Sequence, residues 1–187
     1  MPASSEFLAV AGSPAHSPFR LAELKDALNA ALPESSPTVV DVKSIHVHYV
    51  DACNPSALAQ LKTDSEERNI LNKLLTYDPP SEELRDDQET KNLAKVLSGE
   101  KLADGKNRLV LYIVPRKGTI SPWSSKATSI AAVCGLVHTV SRIERGVLVS
   151  VVFDAEYKMS QGPYPFSDII HDRMTEVGPL LQPFANS

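Results

Sequence analysis

The feature that most constrains the fold is an apolar run from Arg108 to Val114, with the sequence RLVLYIV. Its apolar residues occupy consecutive positions, which is typical of a strand that is buried on both faces. A turn-rich loop, Pro115 to Trp123, follows it, and then comes an Ala-rich helical stretch, Ser124 to Cys134, with Gly135 as its stop. We therefore expect a central strand, a loop and a helix in that order.

The amino-terminal part of the chain begins with residues rich in Ala, Ser, Gly and Pro. Residues 1–16 are expected to be a flexible tail, in which Phe7 to Val10 could form an edge strand. Ser17 and Pro18 have the pattern of an N-cap and a first-turn proline, and leucines then recur at helical spacing. This pattern predicts a helix that ends near Pro33.

A strand and a second helical stretch are predicted next. Residues 42–50 alternate between apolar and polar side chains in the manner of a strand with one buried face, which places His46 and His48 on the same side. Helical spacing of leucines then runs from Pro55 to Leu75 around a charged middle. The paired prolines within 76–80 cannot continue a helix, so we expect it to end there.

The remaining segments suggest an insertion, a strand pair and a linker. Residues 81–107 are charged and have one short apolar periodicity around Leu93, which predicts a surface insertion that contains a helix. Val140 to Phe153 resembles two strands hinged at Gly146. The Pro-rich residues 161–187 are expected to begin a linker.

Charge and cysteine content exclude several classes of protein. The chain of 187 residues has 19 Lys and Arg against 23 Asp and Glu, a net charge of -4 that gives no reason to expect a nucleic acid partner. The apolar runs are too short to cross a membrane, and we expect no secretion signal, because the first residues lack a basic segment followed by an apolar one. Cys53 and Cys134 have neither disulfide nor zinc-site spacing, and Cys134 is expected to be buried and inert. His46 and His48 have no matching third ligand, so no metal site is expected. We expect a cytoplasmic protein.

The densest group of polar residues runs from Pro115 to Thr128, with the sequence PRKGTISPWSSKAT. A helix start presents unpaired N–H groups, so the hydroxyls and cations of this segment could hold a phosphate. The alternative, which general physics favours, is that Ser121 or Ser124 caps the helix while Trp123 fills a gap in the core. The spacing is not that of a Walker loop, so nucleotide hydrolysis is not expected.

Two charged groups lie downstream of this segment. Arg142, Glu144 and Arg145 could form an interface or an internal ion pair, although a solvated strand face is the commoner outcome. The triplet His171-Asp172-Arg173 is expected to make structural salt links, because no nucleophile can be assigned to it.

The segment from Gly118 to Thr128 closely resembles the signature of the amino-terminal domain of phosphoribosylformylglycinamidine synthase, or FGAM synthase. The resemblance continues, in the same order and with similar spacing, through Cys134-Gly135-Leu136, Arg142 to Gly146 and His171 to Glu176, and it is weaker at Leu74 to Asp78. It therefore covers the chain from about Leu74 to Glu176.

The resemblance implies an α+β fold. The expected architecture is an antiparallel sheet with helices packed on one face, similar to a fused and duplicated PurS subunit, followed by the start of a linker segment. The implied boundaries are a tail or edge strand at 1–16, a PurS-like domain at 17–160 with its insertion at 81–107, and a truncated linker domain at 161–187.

The resemblance also implies a function without catalysis by this chain. The family enzyme converts formylglycinamide ribonucleotide, ATP and glutamine to formylglycinamidine ribonucleotide, and its ATP and Mg²⁺ belong to a later synthetase domain. A final glutaminase domain carries its Cys nucleophile. The implied role is a structural and docking domain that has no cofactor, with the synthetase and glutaminase domains as partners. The residues expected on a docking or substrate-proximal surface are Arg116, Thr119, Ser121, Trp123, Ser124, Ser125, Lys126, Thr128, Arg142, Glu144 and Arg145.

Two questions stay open at the level of sequence. The chain is an excised domain, an incomplete product or a free-standing relative of the enzyme. A stand-alone protein that binds a phosphate or nucleotide, or regulates the enzyme, through the loop Thr119 to Thr128 is the alternative function.

Overall fold

The computed structural model describes residues 7–77, 87–97, 107–116, 118–158, 167–172 and 174–180. Its strands are β1 (Phe7–Pro14), β2 (Val39–Ala52), β3 (Arg108–Pro115), β4 (Val140–Phe153) and β5 (Glu176–Leu180). Its helices are α1 (Pro18–Ala31), α2 (Pro55–Lys62), α3 (Glu66–Leu75), α4 (Gln88–Val96), α5 (Pro122–Ala131) and α6 (Ser167–Ile170). None of these helices is long and apolar enough to cross a bilayer.

The strands form one antiparallel sheet in the order β1-β2-β4-β3-β5. The predicted α+β class with an antiparallel sheet is therefore confirmed. The run at 108–114 is an interior strand, as predicted, but β4 holds the middle position. The predicted edge strand near Phe7 is also confirmed, since β1 is the first strand in the order of the described sheet and pairs there with β2.

Helices cover both faces of this sheet, which corrects the expectation that they pack on one face. On one face α1 packs on Val42, and α3 and α5 pack on Val50 and Ile143. On the other face Leu93 of α4 is fully buried against Ile45 and neighbouring strand residues. The insertion at 81–107 thus supplies a helix that completes the core.

This double cover corrects the expectation that β2 has a single buried face. The side of the strand that carries the histidines is buried too, with Ser44 2% and His48 0% exposed. The alternation of polar and apolar residues was misleading because the polar side chains on this side form hydrogen bonds beneath the helices. His16 Nδ1 lies 2.7 Å from Ser44 Oγ, and His48 Nε2 lies 2.8 Å from the Tyr77 hydroxyl.

The helix predicted from Pro55 to Leu75 is two helices. The chain breaks after Lys62, and Ser65 caps the second helix by accepting a hydrogen bond from the Arg68 N–H at 3.1 Å. A serine inside a charged stretch was the capping signal. The predicted stop holds, since α3 ends at Leu75.

The predicted hinge at Gly146 is wrong, because β4 is one continuous strand of 14 residues. A Cβ atom at Gly146 would lie 2.5 Å from the carbonyl oxygen of Ile113. The glycine therefore permits the close approach of β3 and has no need to bend the chain. At the other end of the fold, residues 176–180, which the sequence assigned to a linker, pair with β3 as its outer neighbour.

Candidate functional site

The candidate site is built around the first turn of α5, which begins earlier than the sequence predicted. Ser121 is the N-cap: its Oγ accepts a hydrogen bond from the Ser124 N–H at 3.0 Å. Pro122 occupies the first turn, where its missing N–H costs nothing. The helix runs to Ala131 and continues as a π-helical turn, Ala132–Leu136, in which Gly135 has a φ of 91°. The predicted glycine stop is confirmed.

Side chains of α5 cover an open edge of β4. The pairing of β3 with β4 ends at Ile113 and Val147, so the backbone of Ile143 has no strand partner on that side. The Oγ of Ser124 donates to the Ile143 carbonyl at 2.6 Å, and the Oγ1 of Thr128 accepts from the Ile143 N–H at 3.0 Å. Two hydroxyls spaced one helical turn apart thus replace the missing strand.

An ion pair fixes the loop that precedes α5. A guanidinium nitrogen of Arg142 lies 2.6 Å from one carboxylate oxygen of Glu144, whose other oxygen accepts from the Ser121 hydroxyl at 2.8 Å. The same Arg142 nitrogen donates to the carbonyl of Thr119 at 3.1 Å. Burial raises the pKa of Glu144, but the hydrogen bonds from Arg142 and Ser121 outweigh it and hold the pKa below its ordinary value. Arg142 and Glu144 of the charged triplet thus form an internal ion pair, which was one of the alternatives, whereas Arg145 lies over the Trp123 ring.

An aromatic cluster lies on the other side of Trp123. The indole stacks on the His48 ring with centroids 5.6 Å apart, and the guanidinium of Arg145 sits 4.7 Å from the indole centroid. Tyr77 completes the cluster through its hydroxyl, 2.8 Å from His48 Nε2. Trp123 thus fills a gap in the core, as the structural alternative predicted, and also bridges α5 to β2 and β4.

Burial and nearby cations change the acidity of the histidines. Burial, followed by the charge of Arg145, lowers the pKa of both His46 and His48 to about 4. Both imidazoles are therefore neutral near pH 7. Across the residues that the structure describes, no group of three or more His, Cys, Asp and Glu side chains could hold a metal ion.

The predicted site residues separate into two sets. Ser121, Ser124, Thr128, Arg142 and Glu144 bond to the protein itself, and Ser124 is only 1% exposed. A second set faces solvent: Arg116, Thr119, Ser125 and Lys126. Trp123 and Arg145 are half-buried between the two sets. Because the three best-placed hydroxyls are already bonded, the loop is poorly suited to hold a phosphate.

Sequence reasoning missed an aliphatic stripe beside this motif. Ile130 is 45% exposed, Val133 88% and Val137 52%. Ile130 also lines a cleft of about 190 Å³ with Leu74, Tyr77, Trp123 and Lys126, among others. The sequence did contain a signal for this stripe, because its β-branched residues lie three and seven positions apart, on one face of a helix. The alanines and leucines of the same segment are enough to form its buried face. Cys134 lies within this stretch and is exposed, so the prediction of a buried thiol is wrong.

Comparisons with known proteins match most of the chain. Residues 45–180 match the model of the family described as formylglycinamide ribonucleotide amidotransferase N-terminal. Phosphoribosylformylglycinamidine synthase from Saccharomyces cerevisiae is 33% identical over 175 residues, which cover 92% of this chain but 12% of the yeast protein. The chain thus spans about an eighth of the length of this relative.

Proposed function

Because this chain belongs to the formylglycinamide ribonucleotide amidotransferase N-terminal family, we propose that it is the non-catalytic docking domain of an FGAM synthase. Its role is to hold a preformed surface against the parts of the enzyme that carry out synthesis. ATP, Mg²⁺, glutamine and formylglycinamide ribonucleotide are used by the synthetase and glutaminase domains, not by this one. The proposal places the chain in purine biosynthesis.

The observation that carries this proposal is the division of α5 into two sides. Its inner side is bonded to β4 through Ser124 and Thr128, so the helix has a fixed position on the sheet. Its outer side presents Lys126 and Ile130, followed in the π turn by Val133. A helix that is anchored on one side and presents exposed aliphatic side chains on the other is suited to bind a partner surface.

The aliphatic stripe of Ile130, Val133 and Val137 supplies the driving force for docking. Full burial of an aliphatic side chain of this size stabilises a complex by about 1.5–3 kcal/mol. Lys126 lies at one end of the stripe, beside the cleft that Tyr77 and Trp123 line, and gives the contact a polar rim. The described part of the chain leaves the stripe open to solvent, whereas a partner in a much longer enzyme would cover it.

A chimaeric enzyme tests the proposal. In the yeast synthase, the residues that match this chain are replaced by it, and FGAM formation is measured with ATP and glutamine. Val133→Asp places a charge in the proposed contact and should lower activity by at least about tenfold, the effect of about 1.4 kcal/mol. The isolated chain should form no product.

Matched variants separate docking from folding. Lys73 is exposed on α3, outside the proposed surface, so Lys73→Asp should leave the chimaera as active as its parent. Circular dichroism should show Val133→Asp folded like the parent chain, because the side chain is already 88% exposed. Full activity of the Val133→Asp chimaera would contradict the docking surface, and FGAM formation by the isolated chain would contradict the non-catalytic role.

A further inference from the structure

The outer edge of β1 is an unprotected strand edge. β1 is the terminal strand of the sheet, and β2 is its one partner among the strands that the structure describes. From Phe7 to Ser13 its sequence is FLAVAGS, with no charge and no proline, and proline comes only at position 14. Natural edge strands usually carry such residues because a free edge is a template for another strand. The edge of β1 is therefore chemically ready to pair.

The hydrogen bonds of Ile143 determine which groups of β1 point outward. The Ile143 N–H and carbonyl both bond to α5 and therefore point away from β2. Ile143 and its partner Val50 are thus a non-hydrogen-bonded pair, in which each residue directs its backbone groups away from the other. The N–H and carbonyl of Val50 consequently point toward β1. Leu8, opposite Val50, then faces inward. Because the direction alternates along a strand, the N–H and carbonyl groups of Ala9 and Ala11 face the outer side.

A groove lies along Ala9, Val10 and Ala11 of β1. It has a volume of about 390 Å³ and is lined by Ala9, Val10, Ala11, Arg68, Ala94, Lys95 and Leu97. Arg68 comes from α3 on one face of the sheet, and Lys95 comes from α4 on the other face. An extended chain in this groove would have one cation on each side.

Neither cation is neutralised by a carboxylate of the described residues. Arg68 donates to the carbonyl of Leu61 at 3.1 Å, and the ion pairs of the described residues include neither Arg68 nor Lys95. None of the described residues that line the groove is acidic. Its charge is therefore complementary to an acidic ligand.

We propose that the edge of β1 binds an extended acidic peptide segment of a partner protein as a sixth strand. Main-chain hydrogen bonds go to Ala9 and Ala11, which gives affinity without sequence specificity. Successive side chains of a strand point to opposite faces, so two adjacent acidic residues would meet Arg68 and Lys95 at the same time. The small side chains of this edge leave room for aliphatic residues of the peptide beside Leu97. This surface is separate from the docking face on α5.

A labelled synthetic peptide, Thr-Val-Glu-Glu-Val-Thr, tests the proposal by fluorescence anisotropy with the whole chain. Binding should weaken as salt is raised, and the matched peptide with Lys-Lys in place of Glu-Glu should not bind. Lys95→Gln should weaken binding by about two- to fivefold, as expected for one partly exposed ion pair. Lys73→Gln, on the exposed side of α3, should leave the affinity unchanged.

Two further measurements identify the edge itself. The peptide should slow amide hydrogen exchange at Ala9 and Ala11. Ala9→Pro removes an outward N–H at a position where an edge strand tolerates proline, and it should weaken peptide binding at least about tenfold. Circular dichroism checks that this variant folds. Equal binding of the acidic and basic peptides, no binding of the acidic one, or a self-associated chain whose dimer Ala9→Pro abolishes would overturn the proposal.

Discussion

The buried imidazole of His48 should make the stability of this protein fall in mild acid. His48 is 0% exposed, its Nε2 lies 2.8 Å from the Tyr77 hydroxyl, and its ring stacks on Trp123. The facing charge is Arg145, and His46 lies two residues before His48 on the same face of β2. A proton on His48 would thus enter a site that is buried and already positive.

The sign and size of the effect follow from the two pKa values. Burial first, and then Arg145, lowers the pKa of His48 from 6.5 to about 4. The unfolded chain therefore binds a proton between pH 6.5 and 4 that the folded chain does not, so the free energy of unfolding falls as pH falls through this window. Each unit by which the two pKa values differ corresponds to about 1.36 kcal/mol, so the free energy of unfolding falls by about 3 kcal/mol in all. About 2 kcal/mol of this is lost between pH 7 and pH 5.

Urea unfolding at a series of pH values, followed by circular dichroism, measures this slope. The glutamine of His48→Gln has no proton to gain and keeps an amide that can reach Tyr77. Between pH 7 and pH 5, the loss in free energy of unfolding should therefore be about 2 kcal/mol smaller for this variant than for the parent chain. His46 has a similarly lowered pKa, so part of the slope should remain. His138 is exposed, and His138→Gln is the matched control that should keep the slope of the parent chain.

Parallel pH profiles for the parent chain and for His48→Gln would refute the reasoning, provided that both proteins unfold in one step. A loss of the slope in His138→Gln would also refute it, because the slope would then arise at the surface. An increase in stability as pH falls from 7 to 5 would show that the sign is wrong.

Three substitutions test the packing of α5 on the sheet and the close approach of β3 to β4. Ser124→Ala removes the bond to a buried carbonyl and should lower the free energy of unfolding in urea by about 1–3 kcal/mol, whereas the exposed control Ser125→Ala should change it by less than about 0.5 kcal/mol; equal effects would contradict the role of Ser124 in covering the edge of β4. Gly146→Ala places a methyl group against β3 and should lower the melting temperature through a loss of about 1–3 kcal/mol, so an unchanged melting temperature would disprove the close approach. Trp123→Ala should lower the free energy of unfolding in urea by about 2–4 kcal/mol, whereas Lys126→Ala should leave the fold intact. Equal stability of these two variants would contradict the bridging role of the indole.

Local signals predicted the helix starts well. The Ser17-Pro18 and Ser121-Pro122 pairs both cap helices in the structure, although Ser121 was expected only as one of two possible caps and the helix was predicted to begin at Ser124. The break before Ser65 was missed because leucine periodicity runs across it. Caps depend on three or four neighbouring residues, which is why sequence alone can identify them.

The site residues were predicted as a group, but their roles were not separable by sequence. Ser124 and Ser125 are adjacent and chemically identical, yet one is buried on β4 and the other faces solvent. Glu144 was expected on a solvated strand or in an ion pair, and only the positions of Arg142 and Ser121 beside its carboxylate decide for the ion pair. The aliphatic stripe was missed because an exposed valine looks the same as a buried one in sequence.

Sequence alone determined the antiparallel α+β fold through the resemblance of the segment at 118–128, and the positions of most elements through capping and periodicity. Tertiary structure alone decided that β4 is continuous, that residues 176–180 join the sheet, and that His48 lies under Trp123. The physical reason is the range of the interactions. Caps and periodic patterns join residues a few positions apart, whereas the contacts that assign roles, such as Thr128 with Ile143 and His48 with Tyr77, join residues 15 and 29 positions apart.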